Sequence, residues 1–262
     1  MNSYSAIEMN DLAVGYKNNL IAEHISLGLN RGEVTALLGK NGSGKSTLIK
    51  TMTGTLKPLG GNVKVDGKDL KEISRKELAR QIALVSTDAD FAGGLTVKEV
   101  VSLGRYPYTG LLSRLSEEDR QIIENAIDAV GISHKAESFL AELSDGERQK
   151  AMVARALAQT PSILIMDEPF SFLDVEGRIE LLSFIISIAR EKNTAVLYST
   201  HDVSQSLRMA DRIWMFEDDC QLGKRIISGS PAEIIEKGHI HKLFKSDKIE
   251  FDADAKDFIA KT

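Results

Sequence analysis

Four short stretches of this 262-residue chain carry residue types and spacings suited to chemistry on a phosphate. The first is GKNGSGKST, Gly39 to Thr47, which fits the pattern G-x-x-x-x-G-K-[ST] in full. Its glycines, Gly39, Gly42 and Gly44, let the chain curl without Cβ clashes, so that backbone N–H groups, those of Asn41 and Ser43 among them, can surround a phosphate. Lys45 then reaches the β- and γ-phosphates of a nucleotide, Ser46 offers its hydroxyl to Mg²⁺, and Thr47 closes the motif. The second stretch, ILIMDEP, is an apolar run ending in Asp167 and Glu168. One acid there suits a divalent metal, and the next can polarise an attacking water. The third, LYSTHD, delivers His201 at an equivalent place. The fourth, LSDGERQKAMVARALA, has Ser144 followed three residues later by Glu147, the mark of a capped helix start. Unpaired N–H groups and a partial positive charge at such a start suit an anion.

These residues need elements that aim them at one another. VTALL precedes the glycine loop and TLIKTMTG follows it, the strand–loop–helix order that the motif requires. SILIMDEP, RIELLSFIISIAREK, TAVLYSTHD, VSQSLRMAD and RIWMF read as strand, helix, strand, helix and strand. Apolar strands alternating with helices predict an α/β fold with a mostly parallel sheet covered on both faces. In such sheets, ligands bind beyond the carboxyl ends of the strands, where Asp167, Glu168 and His201 fall. Earlier, AIEMNDLAV, HISLGL and EVTALLG read as strands with NRGE as a turn, and KPLGGNVKVDGKDL reads as a loop and a short strand. From about Asp88 to Ala158 the pattern is helical. There Ser116 caps a helix with Glu117, Glu118 and Asp119 in its first turn and Ile122, Ile123, Ala126, Ile127 and Val130 on one face. From about Asp247 onward the chain is charged and shows no clear period.

Composition narrows the class. A hydrophobic share of 42% and a charged share of 27% match an ordinary soluble globular protein. Cys220 is the single cysteine, so no disulfide forms within one chain. The N-terminus lacks the basic start and apolar core of a secretory signal, and no run approaches the ~18 apolar residues of a membrane span. The formal net charge of −5 argues against a nucleic-acid partner.

GKNGSGKST, LSDGERQ, ILIMDEPFSFLD and STHD stand in a fixed order that resembles the ATP-binding subunit of ABC transporters over essentially the whole chain. The resemblance implies a P-loop NTPase core with an antiparallel β-subdomain and an inserted α-helical subdomain. On this chain it implies core at 1–87 and 159–246, helical subdomain at 88–158 and tail at 247–262. It implies ATP and Mg²⁺, with Ser46 and Asp167 on the metal. Tyr16 in AVGYKNN looks like the residue that stacks on adenine, and His201 like the histidine that senses the γ-phosphate. LSDGE looks like the signature loop. It keeps Ser144 and Gly146, which are expected to meet phosphate, and departs from the common form at Asp145 and Glu147. Asp174 in SFLD looks like the loop that crosses between two active sites. The family's usual glutamine contact to the metal is missing: Thr87 stands in that slot, and Asp88 is the alternative.

In the family, two copies close head to tail around two ATP molecules. Ser144 and Gly146 of one copy then face ATP held by Lys45, Glu168 and His201 of the other. The closing dimer drives integral membrane permease subunits, served indirectly by a substrate-binding protein. The subunit itself sits peripherally on the cytoplasmic face of the membrane. LTVKEVVSLGRYPYTG, Leu95 to Gly110, is similar to importers for iron–siderophore, haem and cobalamin ligands. Tyr106 and Tyr108 beside Pro107 are expected as exposed aromatics at a permease contact. A soluble ABC ATPase serving a non-transport assembly process is the other reading.

Overall fold

Alternating apolar and polar residues in AIEMNDLAV form β1 (Ser5–Tyr16), which pairs antiparallel with β2 (Asn19–Asn30). β3 (Val34–Leu38) is buried at every position, as a strand covered on both faces must be. α1 (Lys45–Met52) starts directly after Gly44. The KPLGG segment forms more than one short strand. β4 (Gly60–Val65) and β5 (Lys68–Asp69) pair as a hairpin, because Asp66 and Gly67 both take positive φ, 48° and 80°. These strands make an antiparallel sheet in the order β2-β1-β4-β5. The computed structural model describes residues 5–17, 19–86, 94–109, 114–219, 223–243 and 248–260. The chain forms two compact units, Met1–Glu72 with Ala195–Thr262, and Ile73–Thr194.

The second unit opens with α2 (Arg75–Gln81), capped by the Ser74 hydroxyl, and β6 (Ile82–Val85). Helices α3 (Val97–Ser102), α4 (Glu117–Ala129) and α5 (Asp145–Ala158) pack on one another. Each starts with a capping box, at Thr96 with Glu99, Ser116 with Asp119 and Ser144 with Glu147. α4 buries Ile123, Ala126 and Ile127, the face its periodicity predicts. β7 (Ile163–Met166) lies parallel to β6, and α6 (Val175–Glu191) follows.

The chain then returns to the first unit. β8 (Ala195–Thr200), α7 (Val203–Met209), β9 (Arg212–Asp219) and β10 (Gly223–Gly229) follow in turn. β3 lies between β8 and β9 and runs parallel to both, while β10 is antiparallel to β9. Tyr198 on β8 and Trp214 on β9 are the largest wholly buried side chains, and burial pushes the Tyr198 phenol up from its ordinary pKa. α8 (Pro231–Glu236) and α9 (His239–Leu243) come next. The charged C-terminal stretch is ordered as a hairpin of β11 (Ile249–Asp252) and β12 (Asp257–Ala260). Phe251 packs edge-on to Phe258, and the Ser204 hydroxyl on α7 donates to Asp257 at 2.7 Å. Tertiary docking of this kind stabilises a two-stranded hairpin that has no repeating pattern of its own.

Candidate functional site

In the first unit, the sequence around the glycine motif folds into a tight cradle. The Ser43 N–H donates to the Lys40 carbonyl at 3.0 Å, closing a turn whose third residue, Gly42, has φ +74°. Gly44 has φ +116°, and a Cβ there would sit 2.4 Å from Ile21 Cγ2, so backbone angle and space both demand glycine. A Cβ on Gly39 would meet the Ser43 hydroxyl oxygen at 2.4 Å. Helix α1 begins here with no side-chain cap and no acid in its own first turn, a positive helix end suited to an anion. Lys45 is 7% exposed and its ammonium donates to the Gly39 carbonyl at 2.8 Å, so the charge is folded over its own loop. Ser46 is exposed beside buried Lys45 and Thr47, and Asn41 is exposed at the rim.

His201 is exposed just past β8, and Leu38 pairs in register with Thr200. Gly39 and His201 therefore leave adjacent parallel strands at the same end. Asp202 caps α7 by accepting the Gln205 N–H at 2.9 Å, and its own N–H donates to the Thr200 hydroxyl at 3.1 Å, which fixes the chain on both sides of His201. Tyr16 ends β1 at 47% exposure, a ring face open to stacking.

In the second unit, the Asp167 N–H donates to the Val85 carbonyl at 2.8 Å and extends the β6–β7 ladder by one step. Asp167 is buried, at 8% exposure. Glu168 has φ +49°, a conformation that costs a glutamate about 1–2 kcal/mol and that turns the chain sharply off the strand. Its carboxylate accepts from the Ser171 hydroxyl at 3.4 Å. Thr87 and Asp88 lie outside the described residues.

The signature stretch is the capped helix that its sequence implies, and its cap is fully occupied. One Glu147 oxygen accepts both the Ser144 N–H and the Ser144 hydroxyl at 2.9 Å, and the Glu147 N–H donates to that hydroxyl at 3.3 Å. The donated Ser144 N–H, and then the Ser144 hydroxyl, hold the Glu147 carboxyl below the usual carboxylate range. The two acids that distinguish this loop are matched by cations: Arg148 donates to Asp145 at 3.1 Å, and Lys135 lies 3.6 Å from Glu147. Gly146 presses on the chain after Glu168, for a Cβ there would sit 3.0 Å from the Phe172 carbonyl oxygen. Asp174 caps α6 through the Gly177 N–H at 2.9 Å. The structure thus brings the signature loop against the segment running from Glu168 to Asp174.

Sequence reasoning passed over an anchor in GRYP. The Arg105 guanidinium donates to Asp119 at 2.7 Å and to the Ala158 carbonyl at 2.9 Å, and lies 4.1 Å from the centre of the Tyr108 ring. The expectation of two exposed aromatics fails for Tyr108. It packs between Arg105 and Arg80, and its hydroxyl donates to the Gln159 carbonyl at 2.9 Å. Pro107 is buried, and Tyr106 alone projects, at 69% exposure. The sequence offers little signal for the pair, because Asp119 stands among Glu117, Glu118 and Arg120 and reads as one more acid in a helix's first turn.

A glycine cradle between a buried strand and an uncapped helix, on an α/β fold with strand-end acids, defines a P-loop nucleotide hydrolase. Residues 22–171 match a family model described as ABC transporter. The chain is 41% identical over 238 residues to an uncharacterised ABC transporter ATP-binding protein of Methanocaldococcus jannaschii, covering 91% of this chain and 81% of that one. It is 34% identical to the ferric enterobactin transport ATP-binding protein FepC of Escherichia coli strain K12, over 92% of this chain and 88% of that one. A solved structure of cbiO1 from Clostridium perfringens, part of the ABC transporter complex cbiONQ, is similar with a TM-score of 0.74 and 28% identity, over 90% of this chain and 92% of that one. This chain belongs to the ABC transporter family, and it is an ATP-binding ATPase.

Proposed function

We propose that the chain is the ATP-hydrolysing subunit of an importer whose membrane permease is a separate protein, and that the ligand is an iron–siderophore, haem or cobalamin type chelate. The observation that carries the ATPase reading is the cradle from Gly39 to Thr47 between β3 and α1. The chelate class is supported by the likeness to FepC and by the LTVKEVVSLGRYPYTG segment. No helix among the described residues is long and apolar enough to cross a membrane, which supports a peripheral subunit docked on membrane partners. We place that subunit on the cytoplasmic face, with a substrate-binding protein acting on the far side of the permease. The net charge of −5 supports a reading without nucleic acid.

Backbone N–H groups of the cradle and Lys45 hold the phosphates, and Tyr16 stacks on the base. Glu168 takes up the proton of the attacking water, and His201 reads the γ-phosphate. The exposed Ser46 hydroxyl and the buried Asp167 carboxylate are hard oxygen donors of the kind Mg²⁺ prefers. Mg²⁺ held by these two residues would supply positive charge against the negative charge that develops on the phosphates. In the slot of the family's glutamine, the Thr87 hydroxyl would offer the metal or its water an oxygen on a side chain of shorter reach, and Asp88 is the alternative donor. Ser144 and Gly146 act in trans on the ATP of a second copy, and Asp174 spans the two sites. Residues 88–158 serve as the helical subdomain that meets the permease, with Tyr106 in the contact. Residues 1–87 and 159–246 serve as the nucleotide core with its β-subdomain, and 247–262 form a C-terminal tail.

The test is Glu168→Gln in the full chain. ATP binding is expected to persist, hydrolysis to fall by about 100-fold or more, and the protein to collect as a dimer in ATP. Hydrolysis at the normal rate removes Glu168 from its role.

A further inference from the structure

Behind the phosphate cradle, on the side formed by β9 and β10, lies a cavity of about 200 Å³ lined by Lys40, Asn41, Gly42, Ser43, Glu217 and Lys224 among others. Phe216 of β9 forms part of its wall and packs closely against the glycine loop. A Cβ on either glycine would come within 3.3 or 3.4 Å of it. The ammonium of Lys224 crosses this space and donates to the carbonyl oxygens of Gly42 and Ser43, each at 3.3 Å. None of the sequence motifs includes Lys224, which lies 182 residues from Gly42 along the chain.

We propose that Lys224 is a positioning residue for nucleotide binding: it braces the cradle from behind by holding the Gly42 and Ser43 carbonyls away from the phosphate. This rests on the reading of Gly39 to Thr47 as the phosphate cradle. In a planar trans peptide, the carbonyl of one residue and the N–H of the next point in opposite directions. Fixing the Ser43 carbonyl on Lys224 therefore fixes the Gly44 N–H on the side away from the ammonium. Fixing the Gly42 carbonyl does the same for the Ser43 N–H, which closes the turn on Lys40. Gly42 and Gly44 are both at positive φ, and glycine is the residue least able to hold its own conformation. An external clamp on these two peptide planes removes the freedom that the glycines introduce, and pre-ordering of this kind raises affinity.

Electrostatics favour the same arrangement. Two carbonyl dipoles with their negative ends towards a phosphate would repel it, and the lysine draws them off. Glu217, on the same cavity wall, would compete for that lysine. Its oxygens are instead engaged by Arg225, with Nε at 2.9 Å, and by His239 at 3.1 Å. The β9–β10 hairpin thus aims one cation at the loop, while Arg225 and the His239 ring engage its buried acid.

The experiment compares wild type, Lys224→Met and Lys224→Arg as full chains, using a fluorescent ATP analogue with Mg²⁺, steady-state hydrolysis and thermal melting without nucleotide. Lys224→Met is expected to raise the Kd for the analogue and the KM for ATP about tenfold, the scale of one charge-assisted hydrogen bond. Its kcat should stay within about twofold, and the melting midpoint without nucleotide should stay within about 2 °C. Lys224→Arg, which keeps the charge and donors, should recover most of the affinity. The inference is overturned if Lys224→Met binds as wild type does. It is overturned equally if the affinity loss comes with a lower melting midpoint, because that is the mark of a purely structural role. Failure of the wild-type chain to bind the analogue would instead refute the cradle reading on which this rests.

Discussion

Replacing Arg105 by alanine probes the anchor beneath the exposed Tyr106. The side chains of Arg105 and Asp119 are 8% and 12% exposed, and their bond is 2.7 Å. Truncation leaves Asp119 as a buried carboxylate without its cation, a change that costs about 3–5 kcal/mol in buried pairs. Two donors soften the loss, since the Ser116 N–H at 2.9 Å and the Ser116 hydroxyl at 2.8 Å still reach the Asp119 carboxylate. The Ala158 carbonyl, by contrast, loses the guanidinium that it accepts from. The expected destabilisation is therefore at the lower end, about 3 kcal/mol. Amide hydrogen exchange across α3 to α5 reads this unit by itself, whereas Trp214 fluorescence follows the other unit. The sign of the pH dependence follows from Asp119. The Ser116 N–H, and after it Arg105, hold its carboxyl below the usual range against the opposing effect of burial. A carboxyl depressed in the folded state stabilises above its unfolded pKa and loses that stabilisation as pH falls through its folded value. The gap between wild type and Arg105→Ala should thus be constant from neutral pH to about pH 5 and narrow below about pH 4. A loss under about 1 kcal/mol in α4 and α5 protection, or a gap unchanged at low pH, would refute the assignment of a buried, charged pair.

Further outcomes follow from other residues. Ser144→Arg should leave ATP binding to the monomer nearly intact yet abolish hydrolysis, because Ser144 is read as acting on the partner's nucleotide; equilibrium binding on the dilute protein checks this, and lost binding defeats the trans reading. Gly44→Ala forces an L side chain to φ +116° with its Cβ 2.4 Å from Ile21, so nucleotide affinity should fall by more than about tenfold. Isothermal titration giving a wild-type Kd would contradict that loop geometry. Glu147→Ala removes the acceptor for the Ser144 N–H and hydroxyl and should destabilise α5 by about 1 kcal/mol in hydrogen exchange. Tyr106→Ala should weaken association with co-purified membrane partners at unchanged ATPase rate in the isolated subunit; undiminished association removes Tyr106 from the contact.

The elements that position the chemistry were legible because local signals agreed with tertiary need. VTALL and ILIM are too apolar for an exposed face, and each became a strand buried at every position. Ser116 with Asp119 and Ser144 with Glu147 announced their helices through cap geometry, which is local. The C-terminal hairpin and α2 were less visible. Helix α2 has no buried residue, so burial left no stripe to read in RKELARQ. The hairpin around Phe251 depends on α7 and α9, which precede it in the chain, so no window of its own sequence contains the reason for it.

The candidate site divides along the same line. Motif residues are legible because the chemistry proposed for them dictates both their type and their spacing: a loop built to wrap phosphate needs glycine at Gly42 and Gly44, whatever surrounds it. What spacing does not encode is who holds those residues in place. The Ser144 hydroxyl, read as a phosphate ligand, is engaged by Glu147 in this structure, so contact with phosphate requires that bond to be exchanged or shared. Asp145 and Glu147 look hostile to an anion in the sequence, yet Arg148 and Lys135 offset them from within the same unit. Arg105 finds Asp119 from a different helix, and Lys224 finds the glycine loop from a strand on the far side of the chain. Each of these partnerships joins a residue whose type and place can be read in the sequence to one whose role exists only through the fold, which is why the groups proposed to react could be named before the groups that hold them.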